Sequence, residues 1–430
     1  MTGPATARAV ALEALRRVID EGAYSNRLLP GMLARSSLDR RDRAFATELT
    51  FGTLRRLLPI DRAIEARASR PIGRITPGAR HALRLGAYQL LFAGVAPHAA
   101  VQETVGLVDD RERGFVNAVL RAIATRPPSA AVGGRDADLE ARTGLSAWAV
   151  RELRHLMGED AERAADALAS QAPLTIRANG CVTSRRDLEA RLEAAGVAFT
   201  GSRLDEDCLV LRGGDPTTLP GFAEGAFAIQ DQASAFVVRT LDPRPGERVL
   251  DACAAPGGKA AFTSCLVTDA GRVVAADLHA ARLTRVAEAS ARLHAPMAVI
   301  AQDARRPALR GGFDRILVDA PCSGIGSARR RPELLWRVPK AALSGLARQQ
   351  VAITTALADL LRPGGRLVYA VCTFPRAETD AACDALVRHR PDLHPVATPG
   401  PDGAATLRHR LWPHIHGSDG MFVAAFERRA

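Results

Sequence analysis

The stretch Phe313-Asp314-Arg315-Ile316-Leu317-Val318-Asp319-Ala320-Pro321-Cys322-Ser323-Gly324-Ile325-Gly326 carries an apolar run followed by a loop. The apolar run, residues 313–318, predicts a strand buried in a parallel sheet. A proline and two glycines then interrupt regular structure, so Asp319 and Cys322 lie on a loop at the carboxyl edge of that sheet. Ligands of open α/β sheets bind at this edge. The plainer alternative is a buried acid that accepts hydrogen bonds from loop amides beside a small core cysteine.

Strand and helix patterns alternate on both sides of this stretch. The other predicted strands are Arg248–Asp251, Arg272–Ala276, Met297–Ala301 and Arg366–Val371. The predicted helices between them are Ala260–Leu266, Ala280–Leu293, Lys340–Leu361 and Ala377–Arg390. Alternation of this kind predicts a doubly wound, mostly parallel sheet over residues 226–430. Near its end, Arg410–Trp412 and Met421–Phe426 indicate a terminal hairpin.

The first of these strands runs into Asp251-Ala252-Cys253-Ala254-Ala255-Pro256-Gly257-Gly258-Lys259, which opens a helix. Its glycines allow the backbone to approach a ligand closely, and the helix N-terminus presents amide groups to an anion. The spacing matches neither GxGxxG nor a P-loop, so a polyphosphate is not favoured. A ligand with one small carboxylate fits better. The alternative is a strand-to-helix turn that binds nothing.

Two acids follow later strands at the same edge. Asp277 follows Val273–Ala276, where a carboxylate can accept hydrogen bonds from both hydroxyls of a ribose. Asp303 follows Val299–Gln302, where it is placed to accept from an adenine amino group. Each acid alone is more often a helix cap or a loop acid. Together with the glycine turn they describe a pocket for an adenosine that carries an amino acid, and S-adenosylmethionine fits this description.

A second thiol indicates the reaction. Cys372 follows the strand Arg366–Val371 and is a candidate nucleophile. Addition of a thiolate to C6 of cytosine makes C5 enamine-like, so that C5 can attack the methyl group of a sulfonium. Asp319, as an acid near N3, would relieve the charge on the ring, and Lys259 is a cation that would lower the pKa of the thiol. A base must then remove the C5 proton before the thiolate leaves, and the cytosine must be out of any stack.

Residues 1–128 read as a helical domain, with apolar residues at helical spacing in Val10–Ile19 and Leu83–Phe92. Arginines line this segment: Arg8, Arg40, Arg41, Arg43, Arg55, Arg56, Arg121 and Arg126. For any single arginine a solvated helix face is the better interpretation. Taken together, they are compatible with a helical RNA-binding domain.

A linker at Pro127–Gly134 separates these helices from residues 138–225, which mix helices with short strands and predict a small α/β module. Its predicted helices are Leu145–Met157 and Asp187–Ala195, and its predicted strands are Pro173–Asn179 and Cys208–Leu211. The expected domains are therefore 1–128, 138–225 and 226–430.

The composition is that of a multidomain soluble protein with a polyanionic partner. The 430 residues are 47% hydrophobic and 24% charged, and 58 Lys and Arg against 47 Asp and Glu give a net charge of +11. Seven cysteines without a CxxC pair argue against a disulfide framework and a zinc site, so we expect no metal. Core packing is the expected role of Cys181, Cys208, Cys265 and Cys383. The N-terminus is no signal peptide and no apolar run could span a membrane, so we expect a cytoplasmic protein.

Two sets of motifs resemble known families. Arg8–Glu13, Asp42–Leu49 and Gly114–Arg121 resemble the NusB-type RNA-binding domain. The later motifs resemble those of RsmB (Sun-type) 16S rRNA cytosine-5 methyltransferases: Gln230–Ser234, Asp251–Lys259, Asp319–Gly324, Arg331–Glu333, Arg362–Cys372 and His416–Phe422. The resemblance covers nearly the whole chain, because a NusB-like domain heads that family.

The resemblance implies roles for individual residues. The residues implied to contact S-adenosylmethionine are Cys253, Ala254, Ala255, Pro256, Gly257, Gly258, Lys259, Asp277, Asp303 and Asp319. Cys372 is implied to be the nucleophile and Cys322 to assist release of the product. The chain departs from the family at Val371, where threonine is usual; the loss of this hydroxyl is expected to alter hydrogen bonding near the thiolate, while the thiol itself is kept.

The sequence favours methylation of C5 of a cytosine in 16S rRNA by a monomeric enzyme. The same chemistry on tRNA or another RNA is one alternative, against which the NusB-like head argues. Another is an RNA-binding assembly factor with a spent methyltransferase domain. The pair of Cys322 and Cys372 with Asp319 argues against that, because a binding module needs neither thiol.

Overall fold

The structure is a computed structural model and describes residues 6–127, 134–268 and 270–429. The linker expected at Pro127–Gly134 lies largely outside these residues. By contacts the chain divides into two compact units, unit 1 with Met1–Gln171 and Ala328–Val338, and unit 2 with Ala172–Ser327 and Pro339–Ala430. The domain boundaries expected from the sequence stay predictions.

The described residues form the following helices and strands. The helices are α1 (Ala7–Ile19), α2 (Ser25–Ala34), α3 (Arg40–Arg55), α4 (Leu57–Glu65), α5 (Pro77–Leu91), α6 (Pro97–Val105), α7 (Asp110–Thr125), α8 (Arg135–Thr143), α9 (Ala147–Met157), α10 (Ala161–Leu168), α11 (Arg185–Ala194), α12 (Gln232–Leu241), α13 (Gly258–Val267), α14 (Ala280–Arg292), α15 (Leu334–Arg337), α16 (Ala342–Ala358), α17 (Asp380–His389) and α18 (Pro413–His416). The strands are β1 (Leu174–Ala178), β2 (Phe199–Gly201), β3 (Cys208–Leu211), β4 (Phe227–Ile229), β5 (Arg248–Asp251), β6 (Arg272–Asp277), β7 (Ala298–Ala301), β8 (Phe313–Asp319), β9 (Leu361–Val371), β10 (Leu393–Val396), β11 (Thr398–Pro399), β12 (Ala405–Thr406), β13 (Arg408–Leu411) and β14 (Met421–Arg428).

The main sheet of unit 2 has the order β10-β14-β9-β8-β5-β6-β7, with β13 paired to β14. The five strands from β9 to β7 are parallel, and β14 joins them antiparallel. This confirms the doubly wound, mostly parallel sheet, and the pairing of β13 with β14 confirms the terminal hairpin. The chain moves from β5 towards β7 on one side and from β8 towards β9 on the other. The switch point, where such sheets bind ligands, lies between β5 and β8.

The central strands are apolar along most of their length because the sheet carries helices. Ile316, Leu317 and Val318 of β8 are fully buried, and so are Leu367 and Val368 of β9. β9 begins earlier than expected, and its pairing with β8 skips from Phe313 opposite Leu361 to Arg315 opposite Arg366. Residues 362–365 therefore bulge from the ladder, which suits their sequence Arg-Pro-Gly-Gly because proline cannot donate a ladder hydrogen bond.

A second, antiparallel sheet in unit 2 has the order β2-β3-β1-β4. Its strands β1 and β3 lie where the sequence predicts them, and α11 packs its Leu188 and Leu192 into the same core. One expectation is wrong here. Cys181, shortly after β1, forms a disulfide with Cys265 of α13, 84 residues away in sequence, whereas we expected both to be core cysteines. The residues that carry these thiols show no shared spacing that would reveal the pair.

Unit 1 consists of helices, as predicted for the N-terminal segment. Its core is built from apolar positions of α1, α3, α4, α5 and α7, and Leu15, Leu49, Ile60, Leu83 and Leu120 are all fully buried there. The apolar spacing of three and four residues along each helix produces this buried side.

Residues 328–338 belong to the same unit. Glu333 is fully buried and accepts hydrogen bonds from the Ser25 backbone N–H at 3.1 Å and from Ser25 Oγ at 2.7 Å. Arg337 donates to the carbonyl oxygens of Val18, in the last turn of α1, and of Ala23, shortly after that helix. Trp336 donates to the Leu54 carbonyl oxygen. The Arg331-Pro332-Glu333 motif thus anchors this segment among the N-terminal helices.

Within the described residues, no helix combines the length and the apolar character needed to cross a membrane. Nor does that part of the chain hold a group of three or more His, Cys, Asp and Glu side chains arranged around a metal position.

Candidate active site

The carboxyl edge of the main sheet brings together residues that are far apart in sequence. β5 ends at Asp251, β6 at Asp277 and β8 at Asp319, while Cys372 directly follows β9. Because parallel strands all end at the same edge, the predicted cofactor turn, the acids and the nucleophile share this edge. Asp303 lies farther along it, two residues after β7.

The turn between β5 and α13 is built from backbone contacts that require glycine. Gly257 has φ +107°, and a Cβ there would lie 3.1 Å from Val286 Cα. The Ala254 N–H donates to the Ala276 carbonyl oxygen at 2.8 Å, and the Ala255 N–H donates to Asp277 Oδ2 at 3.3 Å. The turn is therefore held against the end of β6, and α13 begins next to it.

Asp277 and Asp303 are both paired with arginines. Asp277 is 2% exposed, and its Oδ1 accepts from Arg282 at 3.1 Å and from the His279 N–H at 3.2 Å. Asp303 accepts three hydrogen bonds from the Arg305 guanidinium, which hold the pKa of this carboxyl at about 2. Both acids thus lie where the sequence predicts them, and Asp277 also contacts the cofactor turn.

Lys259 and Asp319 form a close ion pair, with 2.7 Å between Lys259 Nζ and Asp319 Oδ2. Burial alone would lower the pKa of Lys259. The charge and the hydrogen bond of Asp319 act in the opposite direction, followed by the charges of Asp251 and Cys372, and the pKa of Lys259 is raised above its usual value. Lys259 is therefore a cation within electrostatic range of the predicted nucleophile, as the sequence suggested.

Asp251 is an acid whose importance the sequence did not reveal. It is 2% exposed, and burial, followed by the charge of Asp319, raises its pKa to about 7. Neither of its carboxylate oxygens accepts a hydrogen bond of normal geometry from the described residues. Asp251 opens the glycine-turn motif, so its position was visible in the sequence, whereas its burial was not.

The two predicted thiols face each other. Cys322 Sγ and Cys372 Sγ are 3.5 Å apart, although 50 residues separate them in the chain. The hydrogen bond with Cys372, and then burial, raise the pKa of Cys322 well above its usual value. Cys322 is therefore a protonated thiol that can donate to the sulfur of Cys372. Burial also raises the pKa of Cys253 in the cofactor turn, which keeps that thiol neutral.

A close backbone approach holds the two thiol loops together. The Gly326 N–H donates to the Cys372 carbonyl oxygen at 3.1 Å, and the Gly420 N–H donates to the Gly326 carbonyl oxygen at 2.8 Å. A Cβ on Gly326 would lie only 2.2 Å from the Gly420 carbonyl oxygen. The last residue of the 313–326 stretch must therefore be glycine for this packing.

Val371, where the family usually has threonine, has no side-chain hydroxyl to offer the neighbouring thiols. It is fully buried among apolar core residues, and its partner on β14 is Phe422. A valine at this position contributes packing to the core. The hydroxyl contact in this region is instead the one between Ser323 Oγ and Thr373 Oγ1, at 2.6 Å.

Three family models match successive parts of the chain. Residues 5–125 match the NusB family, residues 145–218 match the ferredoxin-like domain of RsmF/B-like methyltransferases, and residues 238–427 match 16S rRNA methyltransferase RsmB/F.

Similar proteins are found over the full length. The Mycobacterium tuberculosis protein Rv1407 is 39% identical over 98% of this chain and 96% of its own. Ribosomal RNA small subunit methyltransferase B of Vibrio cholerae is 35% identical over 98% of this chain and 97% of its own. The crystal structure of PH0851 has the same fold, with a TM-score of 0.85 and 24% identity over 100% of both chains. A methyltransferase homologue from Pyrococcus horikoshii is 26% identical, with a TM-score of 0.60 over 69% of this chain and 100% of its own.

Proposed function

Because the chain belongs to the RsmB/F family of 16S rRNA methyltransferases, we propose that it methylates C5 of a cytosine in 16S rRNA. The reaction proceeds through a covalent bond between Cys372 Sγ and C6 of the base. The observation that carries this proposal is the pair of thiols, 3.5 Å apart, at the same sheet edge as the ion pair of Lys259 and Asp319. A methyltransferase that uses an already nucleophilic oxygen or nitrogen needs neither thiol.

The residues at this edge fit S-adenosylmethionine as the cofactor. The buried carboxylate of Asp251, whose oxygens accept no hydrogen bond of normal geometry from the described residues, suits a ligand with hydrogen-bond donors and positive charge. The carboxylates of Asp277 and Asp319 add to the negative charge, and the glycine turn offers backbone amides at the start of α13. When bound, the cofactor supplies an electrophilic methyl group on its sulfonium. The residues proposed to hold it are Cys253 to Lys259, Asp277, Asp303 and Asp319.

Cys372 begins the reaction as a thiolate that adds to C6, and the electrons of the C5–C6 bond become available at C5. Lys259 stabilises the thiolate because a nearby cation lowers the free energy of the anion. Asp319 hydrogen-bonds the N3 side of the ring, where negative charge develops, and its bond to Lys259 gives this pair a proton to share. C5 would then take the methyl group, and the electron pair of the broken methyl–sulfur bond would stay on the cofactor's sulfur, which would leave as a neutral thioether.

Release of the methylated base breaks the C6–S bond that formed in the first step. A general base accepts the proton from C5, the C5–C6 double bond forms again, and the C6–S bond breaks with its electron pair returning to Cys372. Cys322, kept protonated by its high pKa, donates a hydrogen bond to the departing sulfur. A stabilised leaving thiolate departs faster, which is the assistance to product release that we propose for Cys322.

The N-terminal helices are proposed to bind the RNA. Arg40, Arg41 and Arg43 are exposed in the first turn of α3, where their cationic side chains favour phosphate. The net charge of +11 acts in the same direction.

Two substitutions test the proposed chemistry with 16S rRNA and radiolabelled S-adenosylmethionine. Cys372→Ala should abolish formation of 5-methylcytosine while leaving cofactor binding unchanged in calorimetry. Cys322→Ala should instead accumulate a protein–RNA adduct that survives denaturing electrophoresis. Cys208→Ala, a buried thiol away from this edge, is the matched control. Normal turnover by Cys372→Ala would refute the nucleophile, and methylation at a position other than C5 would refute the proposed product.

A further inference from the structure

Two fully buried polar side chains hold the backbone on both sides of Cys322. Gln350 of α16 donates from Nε2 to the Pro321 carbonyl oxygen at 3.0 Å. Glu378, in the helical turn Arg376–Glu378 after β9, accepts from the Ser323 N–H through Oε2 at 2.8 Å. These two backbone groups belong to the peptide bonds that precede and follow Cys322. Both side chains are fully buried, and neither has a role in the mechanism above.

The two side chains also support each other. Gln350 Nε2 donates to Glu378 Oε2 at 2.9 Å, and the Tyr369 hydroxyl lies 3.0 Å from Gln350 Oε1 and 2.6 Å from the Glu378 carbonyl oxygen. Burial raises the pKa of Glu378, while its hydrogen bonds with Ser323 and Gln350 act in the opposite direction. A buried acid is retained at a cost in desolvation, so its contacts indicate a purpose beyond packing.

A third contact ties this loop to the nucleophile. Ser323 Oγ and Thr373 Oγ1 are 2.6 Å apart, and these residues directly follow Cys322 and Cys372. With both flanking peptide groups held and the next side chain bonded across, the Cys322 thiol keeps little freedom beyond rotation of its own side chain. This restraint maintains the 3.5 Å between the two sulfurs.

We propose that Gln350 and Glu378 are positioning residues that hold the Cys322 thiol against Cys372 for release of the methylated product. The inference rests on the proposed function, because it assigns these residues to the release step of that reaction. They act through backbone groups, so they should influence the breaking of the C6–S bond more than its formation.

The test is a single-turnover assay on full-length protein with 16S rRNA, in which adduct formation and adduct decay are measured separately. Glu378→Leu keeps a similar volume and removes both accepted hydrogen bonds. We expect adduct decay to slow by about tenfold or more while adduct formation changes by less than about threefold. Glu378→Gln retains an amide oxygen for the same two donors, so it should restore decay to near the parent rate.

A second variant and a control cover a failure of Glu378→Leu to fold. Gln350→Met removes the bond to Pro321 and leaves Glu378 in place, and it should slow decay in the same way. Thr354→Val removes a buried hydroxyl one turn along α16, whose hydrogen bond goes to the backbone of Gln350, and it should decay like the parent. When Glu378→Leu or Gln350→Met is combined with Cys322→Ala, adduct decay should be no slower than with Cys322→Ala alone, because both substitutions remove the same contribution to release.

The possible outcomes separate this inference from the proposed function. Equal losses in adduct formation and decay, or effects that multiply with Cys322→Ala, would overturn the positioning role. A Glu378→Gln variant as slow as Glu378→Leu would also overturn it, since the charge would then matter and not the hydrogen bonds. If the parent forms no 5-methylcytosine and Cys322→Ala traps no adduct, the proposed function itself fails.

Discussion

Gly326→Ala is the substitution that most directly tests how the two thiol loops are packed. The new Cβ would lie 2.2 Å from the Gly420 carbonyl oxygen, 2.8 Å from its carbonyl carbon and 3.0 Å from the Cys372 carbonyl oxygen. All three atoms are backbone, so no side-chain rotation can relieve the contact. The loop that carries Cys322 must move away from the end of β9.

The size of the effect follows from what must give way. Overpacking of a tight site costs about 1–3 kcal/mol. The movement also weakens the hydrogen bonds from Gly326 to Cys372 and from Gly420 to Gly326, each with a net contribution of about 1 kcal/mol. We expect a loss of about 3–5 kcal/mol in the free energy of unfolding. A displacement of about 1 Å at the thiols should lower methyl transfer about 100-fold.

Urea unfolding measures the first quantity, and single-turnover methylation measures the second. Gly345→Ala is the matched control because Gly345 lies inside α16, where a Cβ meets no atom within 4 Å. Alanine in a helix interior is more stable than glycine by about 1 kcal/mol, so this control should gain stability and keep full activity. A Gly326→Ala protein as stable and as active as the parent would show that the backbone approach at Gly420 is not needed.

Two further predictions concern buried carboxylates. Asp251→Asn should remove a pH-dependent destabilisation. The pKa of Asp251 is about 7 in the folded protein and about 3.8 as a free side chain. The folded state therefore loses stability as the pH rises between these values, by at most about 4 kcal/mol. The melting temperature of this variant relative to the parent, both without cofactor, should therefore rise from pH 5 to pH 8, and a constant difference would contradict the assignment. Ser25→Ala removes the hydroxyl that donates to the buried Glu333 and should cost about 2 kcal/mol in urea unfolding. Thr47→Ala, at a partly exposed site in the same unit, should cost less than about 0.5 kcal/mol, and equal losses for the two would argue against the anchor at Glu333.

Much of the local structure follows from the sequence. The predicted strands Arg248–Asp251 and Cys208–Leu211 match the observed β5 and β3 at both ends, because each carries branched apolar residues between residues that interrupt strands. Boundaries shift where tertiary contacts compete. β9 starts at Leu361 because that residue pairs with Phe313 across a bulge, and no local pattern indicates this pairing.

The candidate site divides in the same way. Asp277, Asp303, Asp319 and Cys372 were predicted as site residues because each acid or thiol follows an apolar strand, and in a parallel sheet such positions share one edge. Sequence placed Cys322 and Cys372 in the same site. The distance between their sulfurs depends on the register of β8 and β9 and on the approach of Gly326 to Gly420.

By itself, the sequence determined the central strands and helices of the main sheet and the candidate reactive residues, since hydrophobic periodicity and residue chemistry are local properties. Only the tertiary structure decided which distant groups meet. The disulfide between Cys181 and Cys265, the anchor of Glu333 on Ser25, and the hold of Gln350 and Glu378 on the loop of Cys322 all join segments far apart in the chain. Their formation depends on burial and on distances of a few ångströms, and both are set by how the sheet and helices pack.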